Sequence, residues 1–517
     1  MFFVMGIDAG TSHTKAVLFD EKGEEVLSLT RPTRLSHPEE GAVEGNLSEM
    51  KEDVFFCIRE CAEKSGVSSK IVAIGISATG DGTCLLDKRG APVRNMMYWC
   101  DGRASEIVLH WNKNRVAEKA FGICGTTVFP GSQAAQLRFL AKREPESLTK
   151  AAHIVHAKDF LFAQLTGKIQ SDETDQSLPM LNMRTRAYDD ELFRLFEIES
   201  LKQKFPKLFP VLKNFAGLTR DAAAQLGLKE GIPVCSGPMD VVACAVGAGA
   251  VETGDACSVL GTAAIHEIVM DEPDFRPEFI GMTLCHAEED RWLRMLAPMI
   301  ATPNLDWFLN GIGKNFAEDA KRMGRELYAY LEECAEGVAP GCDGMLYHPY
   351  IYPGGERAPF VCTKAAGSFT GIRSGHTENH FLRAVYEGVG YAMRDCYDSL
   401  PAKPRLVRLT GGGAKSEFWC QMLADITGIE IAVPVGKEFG AKGAALCAMT
   451  AAGLYPDLRS AVRACVKFSK CYHPDPEKKQ SYVEAYQKFR RIRGAMLEIW
   501  RDEERNSMCG TSNFGGV

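Results

Sequence analysis

Gly6-Ile7-Asp8-Ala9-Gly10-Thr11-Ser12-His13-Thr14-Lys15-Ala16-Val17 is the stretch from which the rest of this chain can be read. Apolar residues lead in from Phe2 to Ile7, small and polar residues make a tip, and Ala16-Val17-Leu18-Phe19 lead out. Two apolar runs about a glycine-bearing turn predict a β-hairpin. Such a tip can aim several backbone N–H groups and hydroxyls at one anion. Gly10, Thr11, Ser12 and Thr14 are the candidate donors. Asp8 ends the first strand, where a carboxylate can hold Mg²⁺ directly or through water. Together these residues read as a site for the terminal phosphates of a nucleotide. Taken alone, the stretch also fits an ordinary hairpin with a polar turn.

The same shape returns half a chain later. In Thr253-Gly254-Asp255-Ala256-Cys257-Ser258-Val259-Leu260-Gly261-Thr262-Ala263-Ala264 a short strand runs into Gly261-Thr262, and a further apolar run follows. Two such hairpins point to two similar domains facing one phosphate chain. The duplicated pattern resembles the actin-like ATPase domains and, within them, the FGGY carbohydrate kinases. The resemblance extends over several separated motifs, to about residue 490. It implies an α/β fold of two actin-like ATPase (ribonuclease H-like) domains with an interdomain cleft. It also implies ATP and Mg²⁺ as cofactors and a small sugar or polyol as acceptor.

Size and composition agree with that expectation. A chain of 517 residues is too long for one core. The expected division is a sugar-binding domain over 1–249, a nucleotide-binding domain over 250–505, and a disordered tail over the polar, glycine-rich 506–517. Apolar residues at 45% and charged residues at 25% are ordinary for a globular protein. A net charge of −7 without a basic stripe speaks against a nucleic-acid partner. No apolar run approaches the ~18 residues of a membrane span. The N-terminus enters a strand at once, which leaves no signal peptide. The 18 cysteines are scattered without a C-x-x-C pair. They read as small buried residues of a reducing, cytoplasmic compartment.

Helices are expected at about 48–64, 133–143, 157–166, 316–336, 378–398, 416–427 and 478–503, with strands at 71–77, 83–87 and from Ile232. Gly237-Pro238-Met239-Asp240 then follows an apolar strand and opens a small-residue helix. Open α/β sheets bind ligands at strand ends of this kind. Phosphoryl transfer to an alcohol benefits from a carboxylate that accepts the hydroxyl proton. A helix N-cap suits the same aspartate. The resemblance makes Asp240 the general base, in contact with the substrate.

Two further segments flank it. Ser77-Ala78-Thr79-Gly80-Asp81-Gly82-Thr83 sits at a strand end, and the resemblance makes Asp81 a hydroxyl ligand. In Tyr98-Trp99-Cys100-Asp101-Gly102-Arg103, a carboxylate and a guanidinium stand beside an aromatic wall. That combination suits a polyhydroxylated substrate. A local salt bridge that fixes the loop accounts for Asp101 and Arg103 equally well. In the family this segment borders the sugar, which implies Trp99, Asp101 and Arg103 as substrate-binding. Lys158-Asp159, before a helix, and Asp172 to Ser177 match segments of the family as well.

At the nucleotide end, the strand Val407 to Thr410 runs into Gly411-Gly412-Gly413-Ala414-Lys415-Ser416. Three glycines let the backbone approach a ligand closely, and Ser416 is placed to cap the next helix. The resemblance puts adenosine here and makes Gly440-Ala441-Lys442-Gly443-Ala444-Ala445 the helix that closes its pocket. The chain lacks the G-x-x-x-x-G-K-[ST] of a P-loop, so the phosphates fall to Gly10, Thr11, Gly261 and Thr262.

Asp240-Val241-Val242 resembles the L-xylulose kinase and erythritol kinase branches, and Gly80-Asp81-Gly82-Thr83 leans towards the latter. A pentulose of the L-xylulose type is the first expectation and erythritol the second. Members of the family are often dimers. Two other classes share the fold: a non-catalytic sugar sensor and a sugar-independent ATPase. The first would carry a damaged phosphate hairpin or base. The second would lack the segment from Trp99 to Arg103.

Overall fold

In the computed structural model, which describes residues 1–510, the chain builds two mixed sheets of one design. Phe3–Ala9 and His13–Asp20 pair antiparallel, and Glu25–Pro32 extends the hairpin. On the other side Ile71–Ala78 joins Phe3–Ala9 in parallel, followed in parallel by Pro233–Ser236. The second sheet repeats this order. Ala256–Leu260 and Ala264–Met270 form the hairpin and Trp292–Leu296 extends it. Leu406–Thr410 and Glu430–Pro434 then add in parallel. Parallel neighbours need a crossover connection, usually helical. The helices Leu47–Ser65 and Glu378–Ser399 lie in those connections.

Strand alternation decides what covers each face. In the first sheet Met5, Ile7, Ala16 and Leu18 pack with Val54 and Ile58 of the helix Leu47–Ser65. Val4, Val17 and Phe19 face the other way, onto Ala441 and Ala445. Their cover is the helix Phe439–Ala451, from the far end of the chain. It lies close because Gly6 and Gly75 are bare, and a Cβ on either would overlap the carbonyl of Ala441 or Ala444. The same helix meets Asp240–Ala248 glycine to backbone, Gly443 on Ala243 and Gly247 on Phe439. Asp240–Ala248 in turn packs Val242 and Ala245 against Cys257, Val269 and Leu293 of the second sheet. Two small-residue helices thus pack together between the two sheets. This corrects the expectation that residues 440–445 close the adenosine pocket: close packing on the first sheet, rather than a ligand, accounts for their small side chains.

Two other expectations change. The helix expected over 316–336 is two helices, Asn315–Arg322 and Leu327–Glu336, separated where Gly324 takes φ +65°. The last helix, Lys479–Gly510, runs on past Asn506, where a disordered tail was expected to begin. The rest of that expectation, residues 511–517, lies outside the described residues. The described cysteines are free thiols and most are buried. Among the described residues no helix is long and apolar enough to cross a membrane.

Candidate active site

The first hairpin brings Asp8 opposite Lys15, and alternation turns both towards the helix Phe439–Ala451. Lys15 is bound 2.6 Å away by Glu438, the residue before that helix. Asp8 Oδ1 has no hydrogen-bond partner, and a Cβ at Gly440 would come within 2.7 Å of Oδ2. Burial pushes the Asp8 carboxyl up to about 6, with Lys15 opposing and Glu438 adding to the rise. A carboxylate so placed, with one oxygen free, fits a divalent cation. The tip itself is fastened by Thr33, whose hydroxyl donates to Gly10 O and whose N–H donates to Ser12 O, both at 2.9 Å. Thr14 is a correction to the expected phosphate donors. The strand period turns its side chain to the opposite face, where it is 3% exposed in a wall shared with Tyr98, Asn46 and Met50.

Asp240 opens the helix Asp240–Ala248 and is half-buried. Its Oδ1 accepts the N–H of Val241 at 2.8 Å and that of Gly80 at 3.4 Å. Burial foremost, then the charge of Asp8, pushes its carboxyl up to about 7, and the charge of Asp175 adds to the rise. Groups with pKa values near the working pH make effective proton acceptors.

Around Asp240 the expected sugar residues divide. Trp99 is 40% exposed and donates Nε1–H to Thr11 Oγ1 at 2.9 Å. Thr11 Oγ1 is in turn 3.1 Å from Thr79 Oγ1, beside Gly80 and Asp81. Asp81 takes φ +55° and is buried, and its Oδ1 has no partner. Burial, with smaller contributions from Asp175 and Asp240, pushes its carboxyl well above the usual range. Asp101 and Arg103 instead hold each other. Asp101 accepts the Arg103 backbone N–H at 3.0 Å, its guanidinium at 2.8–3.1 Å, and the N–H of Val43 at 2.9 Å. Arg103 reaches on to Glu44 at 2.6 Å and Glu39 at 3.1 Å. Both side chains are buried in this cluster, which fixes the loop, while Trp99 stays exposed.

The glycine loop lines a separate cavity of about 350 Å³, together with Thr302, Asp306, Tyr386 and Trp419. Gly411 takes φ +87°, and a Cβ there would lie 2.6 Å from Leu260 O. Gly413 rests on the Leu260 side chain, whereas Gly412 is open. Ser416 accepts the N–H of Trp419 at 2.9 Å and caps its helix. The second tip lies at the cavity's edge: Thr302 donates its hydroxyl to Gly261 O at 2.8 Å, and Ala301 N–H reaches Thr262 O at 2.9 Å. Tyr386 and Thr302 escaped the sequence reading, because each sits in an unremarkable helical or loop context.

Residues 3–247 match the FGGY family of carbohydrate kinases, N-terminal domain, and residues 256–452 match its C-terminal domain. The chain is 30% identical to an erythritol kinase of Brucella abortus, over 96% of this chain and 97% of that one. It is 29% identical to an L-xylulose/3-keto-L-gulonate kinase of Escherichia coli, over 95% and 97%. Among solved structures, a xylulose kinase from Rhodospirillum rubrum superposes with a TM-score of 0.86 at 26% identity, over 96% of this chain and 100% of that chain.

Proposed function

Because this chain belongs to the FGGY family of carbohydrate kinases and is an ATP-using sugar phosphotransferase, we propose that its acceptor is an uncharged ketose or polyol of four or five carbons. One observation carries this reading. Asp8, Asp81 and Asp240 face one region, while the bordering cations Lys15, Arg103 and Lys158 are each already bound to carboxylates. A sugar acid would bring a further negative charge there without a counter-charge, which is costly in a half-buried site. Hydroxyls, by contrast, suit a wall of Trp99 and acceptor carboxylates.

In this reading Asp240 takes the proton of the acceptor hydroxyl, and the surroundings that raise its pKa make it a stronger base. Thr11, Ser12 and Thr262 donate to the phosphates, where charge spreads in the transition state, while Gly10 and Gly261, whose N–H groups are bound within their own tips to His13 O and Ala263 O, let the backbone come close to them. Gly411 to Gly413 and Ser416 hold the adenosine end. Asp8 is the residue placed to hold Mg²⁺, which neutralises phosphate charge when bound with the nucleotide. Closure of the cleft would exclude water from the transfer. The division at residue 250 belongs to this reading, with Phe439–Ala451 working alongside the first half.

A pentulose of the L-xylulose type is the first choice. Erythritol is the second reading, favoured by the free oxygen of Asp81 and by the likeness to an erythritol kinase. The test is coupled ADP release with Mg·ATP against D- and L-xylulose, D- and L-ribulose, erythritol, pentitols, glycerol, gluconate and 3-keto-L-gulonate. Turnover confined to neutral members supports the proposal, and preferential use of a sugar acid overturns it.

A further inference from the structure

A buried polar chain lies beneath the turn that carries Asp240, and the mechanism above gives it no part. Met239 donates its backbone N–H to Thr174 Oγ1 at 3.0 Å. That hydroxyl donates to Asp172 Oδ1 at 2.5 Å. The same oxygen accepts Thr174 N–H at 2.9 Å, which caps the short helix Glu173–Gln176. The other Asp172 oxygen is bound by the Lys158 ammonium, which also donates to Ser236 Oγ at 3.1 Å and lies 3.0 Å from Asp175 Oδ2. Ser236 ends the strand from which the turn springs. One ion pair therefore ties the Gly237–Asp240 turn at both its ends. Lys158, Asp172, Thr174 and Ser236 are all fully buried.

Packing alone does not call for this arrangement. Taking an ion pair out of water costs more than burying apolar groups of the same volume, and what it adds is direction. Direction is what Asp240 lacks by itself. Its carboxylate is touched on one oxygen only, by two neighbouring N–H groups. The main chain that carries it follows directly from Met239, whose N–H Thr174 holds.

We propose that Lys158, Asp172 and Thr174 are positioning residues that hold Asp240 in line with the acceptor hydroxyl, acting through the main chain of Met239 and Ser236. This rests on Asp240 being the base. Thr174→Val keeps the shape and removes the hydroxyl, whereas Thr174→Ser keeps the hydroxyl. Misplacement of a reacting group by about 1 Å can cost on the order of 10²-fold. The expected result is a fall in kcat of roughly 10–100-fold for Thr174→Val, with an unchanged KM for ATP and near-normal turnover for Thr174→Ser. In the Asp240→Ala background Thr174→Val should remove nothing further, because the two act as one unit. Wild-type kcat in Thr174→Val, equal losses in the Val and Ser variants, or losses that multiply in the double variant would each overturn the inference. Near-normal turnover of Asp240→Ala would instead remove its premise. If Thr174→Val does not fold, Ser236→Ala removes one tie and should lower kcat alone; an unchanged kcat there also overturns it.

Discussion

Trp99 donates its indole N–H to the hydroxyl of Thr11 at 2.9 Å, across 88 residues of chain. The two belong to different parts of the proposed site, the sugar wall and the phosphate tip. The bond links the two, so that in the proposed reading the acceptor and nucleotide ends share a contact.

Trp99→Phe should therefore be felt by both substrates. It keeps a ring and removes one hydrogen bond, worth about 1 kcal/mol. Steady-state kinetics should show KM rising severalfold for the acceptor and, less strongly, for ATP. A change confined to the acceptor would mean that the tip does not depend on this bond.

Asp240→Ala should lower kcat by roughly 10²–10⁴-fold, the usual scale for a general base, with nucleotide binding by calorimetry retained. In the wild type, kcat/KM for the acceptor should fall as the pH drops through about 7, where Asp240 gains a proton. A flat profile from pH 5 to 8 would refute the assignment.

The same raised pKa makes Asp240 a liability for stability. Between its ordinary value of 3.8 and about 7 the folded protein binds a proton that the unfolded chain has released. Stability from this group is therefore lost as the pH rises through that range. Asp240→Asn, which mimics the protonated form, should raise Tm at pH 8 and change it little near pH 5. An inactive but stabilised variant is the expected outcome of thermal melts at the two values.

Adjacent glycines of the nucleotide loop should behave differently. Gly412→Ala places its methyl in open space at the cavity, so it should raise KM for ATP and leave Tm unchanged. Gly413→Ala would push into the Leu260 side chain and should lower Tm. Equal effects of the two on either quantity would contradict the described loop.

Much of the fold was legible because it rests on local pattern. The hairpin at Gly10 and its echo at Gly261 show as apolar runs about small tips, and the structure forms both. The placement of Phe439–Ala451 was not legible. Its glycines and alanines announce close packing, but not which surface they pack on, since that surface comes from residues 3–78. Thr14 was misplaced because a tip reading ignores the strand period that begins at His13. Asp101 and Arg103 carried two readings that sequence spacing cannot separate, and their partners Glu39, Glu44 and Val43 lie some sixty positions away. Lys158 did leave a trace: a lysine beside Asp159 at the head of the apolar Phe160-Leu161-Phe162-Ala163 needs a buried partner.

The helix Phe439–Ala451 leaves the ribosome long after the strands Phe3–Ala9 and His13–Asp20 that it roofs. Until it arrives, the nascent first sheet presents Val4, Val17 and Phe19 without their cover. The amino-terminal half therefore cannot mature on its own schedule, and it waits for the other half to be translated. A truncated product would hold every residue of the proposed sugar wall and still display an adhesive sheet face, the kind of surface that chaperones shield and proteases find.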